Sequence, residues 1–169
     1  MPLLSPTVRR GTRENAHRIF GRALNRRQQR VFTRQVVGSF YDFVTDLGSL
    51  AKQSKHCMSP APVHVEGEDA YRAVRTSGKG AVLVTAHMGS FEVGLAALAR
   101  LEDRIHVVFK RDESGPFEAL RSHLRESIGV TQAPIEDGLS MWLGLRHALN
   151  RGEVVVMQAD RAMPHQAAV

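Results

Sequence analysis

A histidine and a glutamate stand five residues apart, His87 and Glu92, directly after the apolar run 81–85. If His87 lies in a loop and Glu92 in the first turn of the next helix, the carboxylate can reach the imidazole. It would fix the tautomer and leave the other ring nitrogen free to take a proton from a hydroxyl. Gly89 allows a tight turn, and the helix start supplies free N–H groups nearby. We therefore expect a general base here, with a structural loop histidine as the alternative.

The same spacing occurs a second time, at His64 and Asp69. This pair lies in a stretch punctuated by proline and glycine, and no apolar run precedes it. His87, in contrast, follows an apolar run and opens a helical pattern. Context therefore favours His87 over His64.

The residues after 80 alternate between short β-branched runs and helical patterns. Such alternation predicts an α/β domain with a mostly parallel sheet flanked by helices. The predicted strands are 81–85, 105–109, 130–133 and 153–158, and the predicted helices are 91–101, 116–128 and 139–150. Ligands of such sheets bind at the carboxyl ends of the strands. The polar residues expected at that edge are His87, Lys110, Arg111, Asp160 and Arg161.

The first 52 residues have a different pattern. Residues 1–11 contain two prolines and a glycine and predict a loose lead-in, and 15–51 predict two helices or one bent helix. Gly38 is expected to mark a break or a close contact. The apolar stripe in the rear half is expected to pack on the main domain or, alternatively, to face a membrane. We divide the chain into a helical segment 1–52, a connecting segment 53–80 and a partial α/β domain 81–169.

The charge is concentrated at the start of the chain. Residues 1–34 hold nine arginines and one glutamate, a local net charge of +8, whereas the other 135 residues carry 14 basic and 16 acidic side chains. Such a segment prefers an anionic lipid surface or a nucleic acid, unless it is simply a solvated helix face. We expect no interleaved exposed aromatic residues there, and no helix-turn-helix or zinc spacing is visible, so nucleic acid is the weaker alternative.

Composition excludes several classes of protein. Hydrophobic residues make up 43% of the chain and charged residues 24%, as in ordinary globular domains. One cysteine, Cys57, rules out an internal disulfide and is expected to be inert. The sequence has no apolar run of 18 residues. His106, inside a predicted strand, is expected to be structural, and Trp142, on a helix face, is expected to lie in the core.

The ordered motifs resemble the bacterial lipid A biosynthesis (lauroyl/myristoyl) acyltransferases of the lysophospholipid acyltransferase superfamily. The similarity rests on VLVTAHMGSFE, then VVFKR, a helix with Arg125, and LRHALNRGEVVVMQADR. The family's histidine, four residues and an acid map onto His87 and Glu92. Met88 stands where the family usually has an aromatic residue.

This resemblance implies that His87, held by Glu92, deprotonates an acceptor hydroxyl, which attacks a fatty acyl thioester directly. It implies that Arg111 and Arg125 bind phosphate, with Arg121 possible in place of Arg125. A surface ion pair is the equal alternative for each arginine. Asp160 is expected to bind or orient a polar group of the substrate or, as the alternative that the sequence slightly favours, to cap the loop after a strand. Gly89 is expected to shape the site. The donor would be a thioester of acyl carrier protein or coenzyme A, with no other cofactor and no metal.

The resemblance also implies a location and a length. The acceptor would be a phosphorylated lipid or glycolipid, and the protein would be peripheral on the cytoplasmic face of the inner membrane. Family members continue well beyond the acid that maps onto Asp160 and usually begin earlier. The resemblance thus predicts a truncated chain with an incomplete sheet, and an inactive relative that binds lipid or a partner is the alternative to an active enzyme.

Overall fold

A computed structural model describes residues 5–52 and 64–161, apart from the side chains of 50–52. The described helices are α1 (Pro6–Phe20), α2 (Arg26–Lys52), α3 (Glu68–Arg75), α4 (Phe91–Leu98), α5 (Gly115–Ser127) and α6 (Gly138–Asn150). The strands are β1 (Ala81–Thr85), β2 (Ile105–Phe109), β3 (Thr131–Pro134) and β4 (Val154–Gln158), and a short 3₁₀ turn, Ile135–Asp137, precedes α6. Cys57 lies outside the described residues.

The chain separates into two compact units, residues 1–46 and 47–169. The predicted division at 52 and 80 stays a prediction. In the first unit, α1 and the front of α2 are joined by a hydrogen bond between the buried hydroxyls of Thr12 and Thr33, 3.0 Å apart. The rings of Phe20 and Phe32 also meet edge to face, 5.8 Å apart. This unit is therefore a helical pair.

Two predictions for the N-terminal residues are wrong. α1 already begins at Pro6, because proline is well tolerated in the first turn of a helix. The break between the helices follows Gly21, whose φ is +63°, rather than Gly38, which lies inside α2. α2 starts there because Asn25 and Gln28 cap it reciprocally: the N–H of Gln28 donates to Asn25 Oδ1, and the N–H of Asn25 donates to Gln28 Oε1.

The second unit is an open α/β layer, as predicted. Its four described strands are all parallel in the order β1-β4-β2-β3. Right-handed crossovers then place α4 and α5 on one face and α6 on the other. Leu95 of α4 packs with Val107 and Val156 on the first face, and Met141 and Leu145 of α6 pack with Val155 on the second. The predicted strand and helix positions are confirmed to within a few residues.

Trp142 departs from the prediction. It was expected in the core, but half of its side chain is exposed. The buried stripe of α6 consists of Met141, Leu145 and Ala148, and Trp142 lies beside that stripe. Helical periodicity predicts a stripe correctly, but it does not define how far the neighbouring strands extend beneath it.

Candidate active site

The strand order brings the ends of β1 and β4 together. Thr85 is in register with Gln158, and the N–H of Ala159 donates to the carbonyl of Thr85 over 3.0 Å. The loops that follow therefore begin side by side, and they join His87 to Asp160. His87 Nδ1 lies 2.7 Å from Asp160 Oδ1, and the backbone N–H of His87 donates to the same oxygen over 3.0 Å.

This geometry sets the protonation of the histidine. An ionised carboxylate only accepts hydrogen bonds, so the proton of neutral His87 lies on Nδ1. Nε2 then carries the lone pair, and it has no hydrogen-bond partner in the described part of the chain. The hydrogen bond from the His87 side chain lowers the pKa of Asp160, which keeps the carboxylate charged. About a third of each side chain is exposed, so a substrate can reach the pair.

Glu92 has other partners than the sequence predicts. Its position in the first turn of α4 is as expected, but its carboxylate points into the interior and is 1% exposed. Arg121 Nε donates to Glu92 Oε1 over 2.7 Å, and Arg125 Nη2 lies 3.7 Å from the same oxygen. Among the described residues, no hydrogen bond joins Glu92 to His87. Two guanidinium groups from α5 bind this carboxylate instead, because that helix packs beside the start of α4.

Arg125 is completely buried. Its guanidinium lies 3.9 Å from the ring centre of Phe109, and its Nη1 donates to Glu118 over 3.2 Å. Burial lowers the pKa of Arg125, and the charge of Arg121 adds to the effect. The predicted phosphate contact of Arg125 stays a prediction, since the structure gives this side chain internal partners.

Arg121 is the more accessible of the two arginines. Its side chain is partly exposed, and Nε is the nitrogen that binds Glu92. Its two terminal nitrogens have no hydrogen-bond partner among the residues described. The guanidinium lies 5.9 Å from the ring centre of Phe117, and 16% of the side chain is exposed.

Four buried polar atoms in this cluster lack a hydrogen-bond partner. They are Ser90 Oγ, Glu92 Oε2, and Nε and Nη2 of Arg125. Leaving a buried polar group without a partner costs about 1–3 kcal/mol. Glu92 and Arg125 are therefore held by charge attraction and packing more than by complete hydrogen bonding.

Arg111 and Gly89 occupy the loops where the sequence predicts them. Arg111 Nη2 donates to Asp137 over 3.0 Å, and its backbone N–H donates to Glu136, so it ties the loop after β2 to the turn before α6. About half of its side chain stays exposed. Gly89 has φ +61°, which confirms that the turn after His87 needs a left-handed residue. Their predicted contacts with a substrate stay predictions.

The other histidines differ from His87. His64 is exposed, and the described residues show no hydrogen bond between it and Asp69. His106 is confirmed as a structural residue: its Nε2 lies 2.6 Å from Glu153 Oε2 at the amino edge of the sheet. Arg151 donates two further hydrogen bonds to that carboxylate. Nearby, Arg75 binds Glu102 through two nitrogens and donates to the carbonyl of Gly152.

Two hollows of the described surface lie away from His87. One of about 430 Å³ lies between β3 and α6, and another of about 470 Å³ lies at the amino edge beside Arg75 and Arg151. The described ranges contain no group of three or more histidine, cysteine or acidic residues that could hold a metal ion. Within those ranges, no helix is long and apolar enough to cross a membrane.

Asp160 is the partner that sequence reasoning missed. It was expected to act on the substrate, whereas the structure makes it the hydrogen-bond acceptor of His87. Its position after a buried strand was a usable signal, but the pairing of β1 with β4 was not visible in the sequence.

An open parallel sheet with an accessible histidine–carboxylate pair at its carboxyl edge defines an α/β protein of the kind that binds ligands at that edge. The particular family follows from comparison with known proteins: the model of the bacterial lipid A biosynthesis acyltransferases matches residues 4–169. The chain therefore belongs to this family of enzymes, which transfer acyl groups from a donor to a lipid acceptor. No curated protein matches the chain.

Proposed function

We propose that the chain moves a fatty acyl group from a thioester to a hydroxyl of a phosphorylated lipid or glycolipid, with His87 as the general base. The observation that carries this proposal is the His87–Asp160 hydrogen bond, because it leaves Nε2 as a free base at the carboxyl edge of the sheet. Family membership supplies the class of reaction.

The proposed reaction has two proton transfers. His87 Nε2 takes the proton of the acceptor hydroxyl while that oxygen attacks the thioester carbonyl. Asp160 stabilises the imidazolium, as a buried or partly buried carboxylate does for a catalytic histidine. The carbon–sulfur bond then breaks, and the imidazolium returns the proton to the leaving thiolate. The thioester of acyl carrier protein or coenzyme A is a co-substrate, and the proposal includes no further cofactor.

Exposed guanidinium groups are the proposed contacts for phosphate. Arg111 keeps half of its side chain in solvent, and Arg121 offers its two terminal nitrogens. A guanidinium edge matches a phosphate in shape and charge. In this proposal Glu92 positions Arg121 and the start of α4, and Arg125 supports both from the interior.

Acyl transfer by the purified chain tests the proposal. Dodecanoyl thioesters of acyl carrier protein and of coenzyme A are incubated with a lipid A precursor or a lysophospholipid. Free thiol and acylated product are measured together, so that transfer is separated from thioester hydrolysis. We expect product formation with at least one donor–acceptor pair, and His64→Ala, the variant with the matched spacing, to retain the full rate.

Two results contradict this proposal. One is a folded chain that releases thiol without acylating any phosphorylated acceptor. The other is a chain that binds lipid tightly but shows no turnover, which is the behaviour of an inactive relative.

We further propose that the N-terminal unit attaches the protein to an anionic membrane surface, on the cytoplasmic face of the inner membrane. All nine arginines of residues 1–34 are exposed, and apolar side chains are exposed on the same helices. These apolar residues are Ile19, Phe20 and Val31. Basic residues beside exposed apolar ones support binding at a lipid surface.

Vesicle sedimentation tests the attachment. Each basic residue near an anionic surface contributes about 1 kcal/mol, so Arg26→Gln/Arg27→Gln should weaken binding to phosphatidylglycerol vesicles roughly thirtyfold. The matched control, Arg72→Gln/Arg100→Gln, removes the same charge from the second unit and should change binding little. Salt should weaken the wild-type binding. Binding that ignores salt and lipid charge, or a preference for duplex DNA over vesicles, contradicts the proposal.

A further inference from the structure

The two edges of the described sheet differ in how well they are protected. The sheet ends in β3 on one side and in β1 on the other. β3 has four residues, begins with two polar ones and ends at Pro134. β1, with the sequence AVLVT, contains neither a charge nor a proline. Short length, charge and proline are the devices that keep an edge strand from pairing with another chain, and β1 lacks the last two.

The backbone of β1 leaves a row of hydrogen-bonding groups on its outer side. Ala81 donates its N–H to the residue before β4, and the carbonyl of Thr85 accepts from the residue after β4. Alternate residues of a strand direct their N–H and C=O to the same side, so Leu83 also bonds to β4. The groups of Val82 and Val84 therefore point away from the sheet. No described residue pairs with them.

The side chains beside this row are apolar and exposed. Val82 is 48% exposed and Val84 64% exposed. Both lie on the α6 side of the sheet, because they are in register with Val155 and Met157, which pack against α6. Strands of parallel sheets are normally covered on both faces. The outer edge of β1 thus combines unpaired backbone groups with uncovered valines.

Trp142 extends this apolar surface onto α6. A Cβ on Gly80 would lie only 2.6 Å from the Cα of Leu149, so the end of α6 touches the chain just before β1. Trp142 lies seven residues, about two helical turns, before Leu149 and therefore on the same flank of α6. Half of its side chain is exposed. The indole consequently borders the two valines.

A lipid surface or a hydrocarbon chain fits this edge poorly. It would cover the valines, but it would leave the N–H and C=O groups of Val82 and Val84 without partners. That cost is the reason that open sheet edges do not occur in the hydrocarbon region of membranes. A further strand supplies the missing donors and acceptors as well as apolar side chains.

The sequence of β1 is complementary to itself. When two copies run antiparallel with Leu83 opposite Leu83, Val82 of each copy lies opposite Val84 of the other. These are the residues whose N–H and C=O point outward, so each pair exchanges two hydrogen bonds. Paired side chains lie on the same face, and the valines of both copies therefore meet on the α6 side.

The charges near the ends of β1 fit the same arrangement. Lys79 precedes β1 and is exposed, and the hydrogen bonds that the structure gives it are made by its backbone. Asp160 lies beside the other end of β1, where it binds His87 and is 37% exposed. An antiparallel pair brings the start of one β1 next to the end of the other. Lys79 of each copy then approaches Asp160 of the other, whereas a parallel pair would place the two lysines together.

We propose that two copies of this chain associate edge to edge through antiparallel β1 strands, with a two-fold axis at Leu83. The interface is isologous and joins the two sheets into one. The five residues of β1 and a few side chains of α6 are fewer than the roughly 20–30 residues that each partner contributes to a standard interface. We therefore expect weak association, with a Kd on the order of 10 µM. The proposal does not depend on the proposed acyl transfer.

Sedimentation velocity and amide hydrogen exchange of the full chain test this dimer. The dimer fraction should rise between about 1 and 100 µM protein. Over the same range, exchange at the N–H groups of Val82 and Val84 should slow in step with the dimer fraction. Leu83 is the internal control, because its N–H is already bonded to β4 and its exchange should depend little on dimerisation.

Charged variants test the register. Val84→Glu places a carboxylate opposite Val82 in both halves of the interface and should raise the Kd at least about tenfold, as should Val82→Lys. Val82→Lys/Val84→Glu places opposite charges face to face and should restore the Kd to within about threefold of the wild type. Val74→Glu, at a valine of α3 that is 67% exposed, should leave the Kd unchanged. If the strand variants melt early, Lys79→Glu replaces them and should raise the Kd about threefold or more.

Four results overturn the proposal. The first is a chain that stays monomeric at about 100 µM. The second is a dimer in which exchange at Val82 and Val84 does not slow, because another surface then joins the copies. The third is full protection of these amides in the monomer, which would show that a segment of the same chain covers the edge. The fourth is protection by phosphatidylglycerol vesicles without self-association, which would show that a membrane covers it.

Discussion

The sheet carries a histidine–carboxylate pair at each end, and the two pairs are alike in local geometry. His87 lies 2.7 Å from Asp160 across β1 and β4, and His106 lies 2.6 Å from Glu153 across β2 and β4. Their surroundings differ. The His106 side chain is 14% exposed, and Arg151 donates two more hydrogen bonds to its partner. The His87 side chain is 35% exposed, and the described residues add no third group to the pair.

This difference is the reason that His87, and not His106, is proposed as the general base. At the amino edge, Nε2 of His106 is hydrogen-bonded to Glu153, and Arg151 binds the same carboxylate. At the carboxyl edge, Nδ1 of His87 is hydrogen-bonded to Asp160, and Nε2 has no hydrogen-bond partner among the described residues. The distance between a histidine and an acid therefore does not distinguish a general base from a structural residue. The exposure of the side chain and the ring nitrogen that has no partner are the better criteria.

Removing each histidine should give the largest contrast. We expect His87→Ala to lower kcat/KM for acyl transfer by about 10²–10⁴-fold, the usual contribution of a general base, with little change in Tm. His106→Ala should lower Tm and keep the rate per folded molecule within about threefold of the wild type. Transfer assays and thermal melts of both variants check this. A folded His87→Ala protein with the wild-type rate would end the catalytic role of His87.

The two candidate partners of His87 can be compared in the same way. Asp160→Asn keeps the shape of the side chain but removes the charge that stabilises the imidazolium, so we expect a loss of roughly 10²-fold in kcat. Because the pair acts as a unit, His87→Ala/Asp160→Asn should be little slower than His87→Ala alone.

Glu92→Gln is the matched variant for that comparison. It removes a buried charge paired with Arg121 and Arg125, a change that typically costs about 3–5 kcal/mol of unfolding free energy. Its rate per folded molecule should fall much less than that of Asp160→Asn. A large kinetic loss in Glu92→Gln, combined with a mild one in Asp160→Asn, would instead favour the pair that the sequence suggests.

The smallest expected effect is on acid stability. Hydrogen bonds from Arg151, and then from His106, lower the pKa of Glu153 to about 2 from the ordinary value of 4.5. A lowered pKa stabilises the fold above the ordinary value, and this stabilisation is lost as pH falls through the folded value. Glu153→Gln should therefore flatten the decline of Tm between about pH 4.5 and pH 2. Asp160→Asn should change the Tm in this pH range less, since its carboxylate is more exposed than that of Glu153. An equal flattening by the two variants would contradict the proposed difference between the two pairs.

Much of the layer could be predicted from sequence because its strands are short β-branched runs. AVLVT and VVVMQ were both expected to be buried strands, and both form parallel strands of the sheet. VVVMQ is buried as expected, whereas AVLVT lies at the edge of the described sheet and is largely exposed. The position of His87 in the loop before α4 followed from the same pattern. Asn25 and Gln28 have the spacing of a reciprocal helix cap, a local signal that the predictions did not use.

The partners of charged residues could not be predicted in this way. Sequence spacing compares residues on one local segment, so it favoured Glu92 for His87. The actual partner lies beyond the next three strands and depends on β4 entering the sheet beside β1. The exposure of Trp142 has a similar cause. It depends on which strands lie under α6, and helical periodicity does not give the order of the strands in the sheet.

The pairing of the first strand with the last has a consequence for how the protein is made. His87 and Asp160 are 73 residues apart, and β4 is inserted between β1 and β2. On the ribosome, β1 and β2 emerge early but lack the strand that belongs between them. β1 and β2 can join one sheet only after β4 has been synthesised, and such long-range parallel pairing is intrinsically slow. His87 thus acquires its carboxylate only after β4 has paired with β1, and a nascent chain lacking β4 has not yet assembled the proposed base.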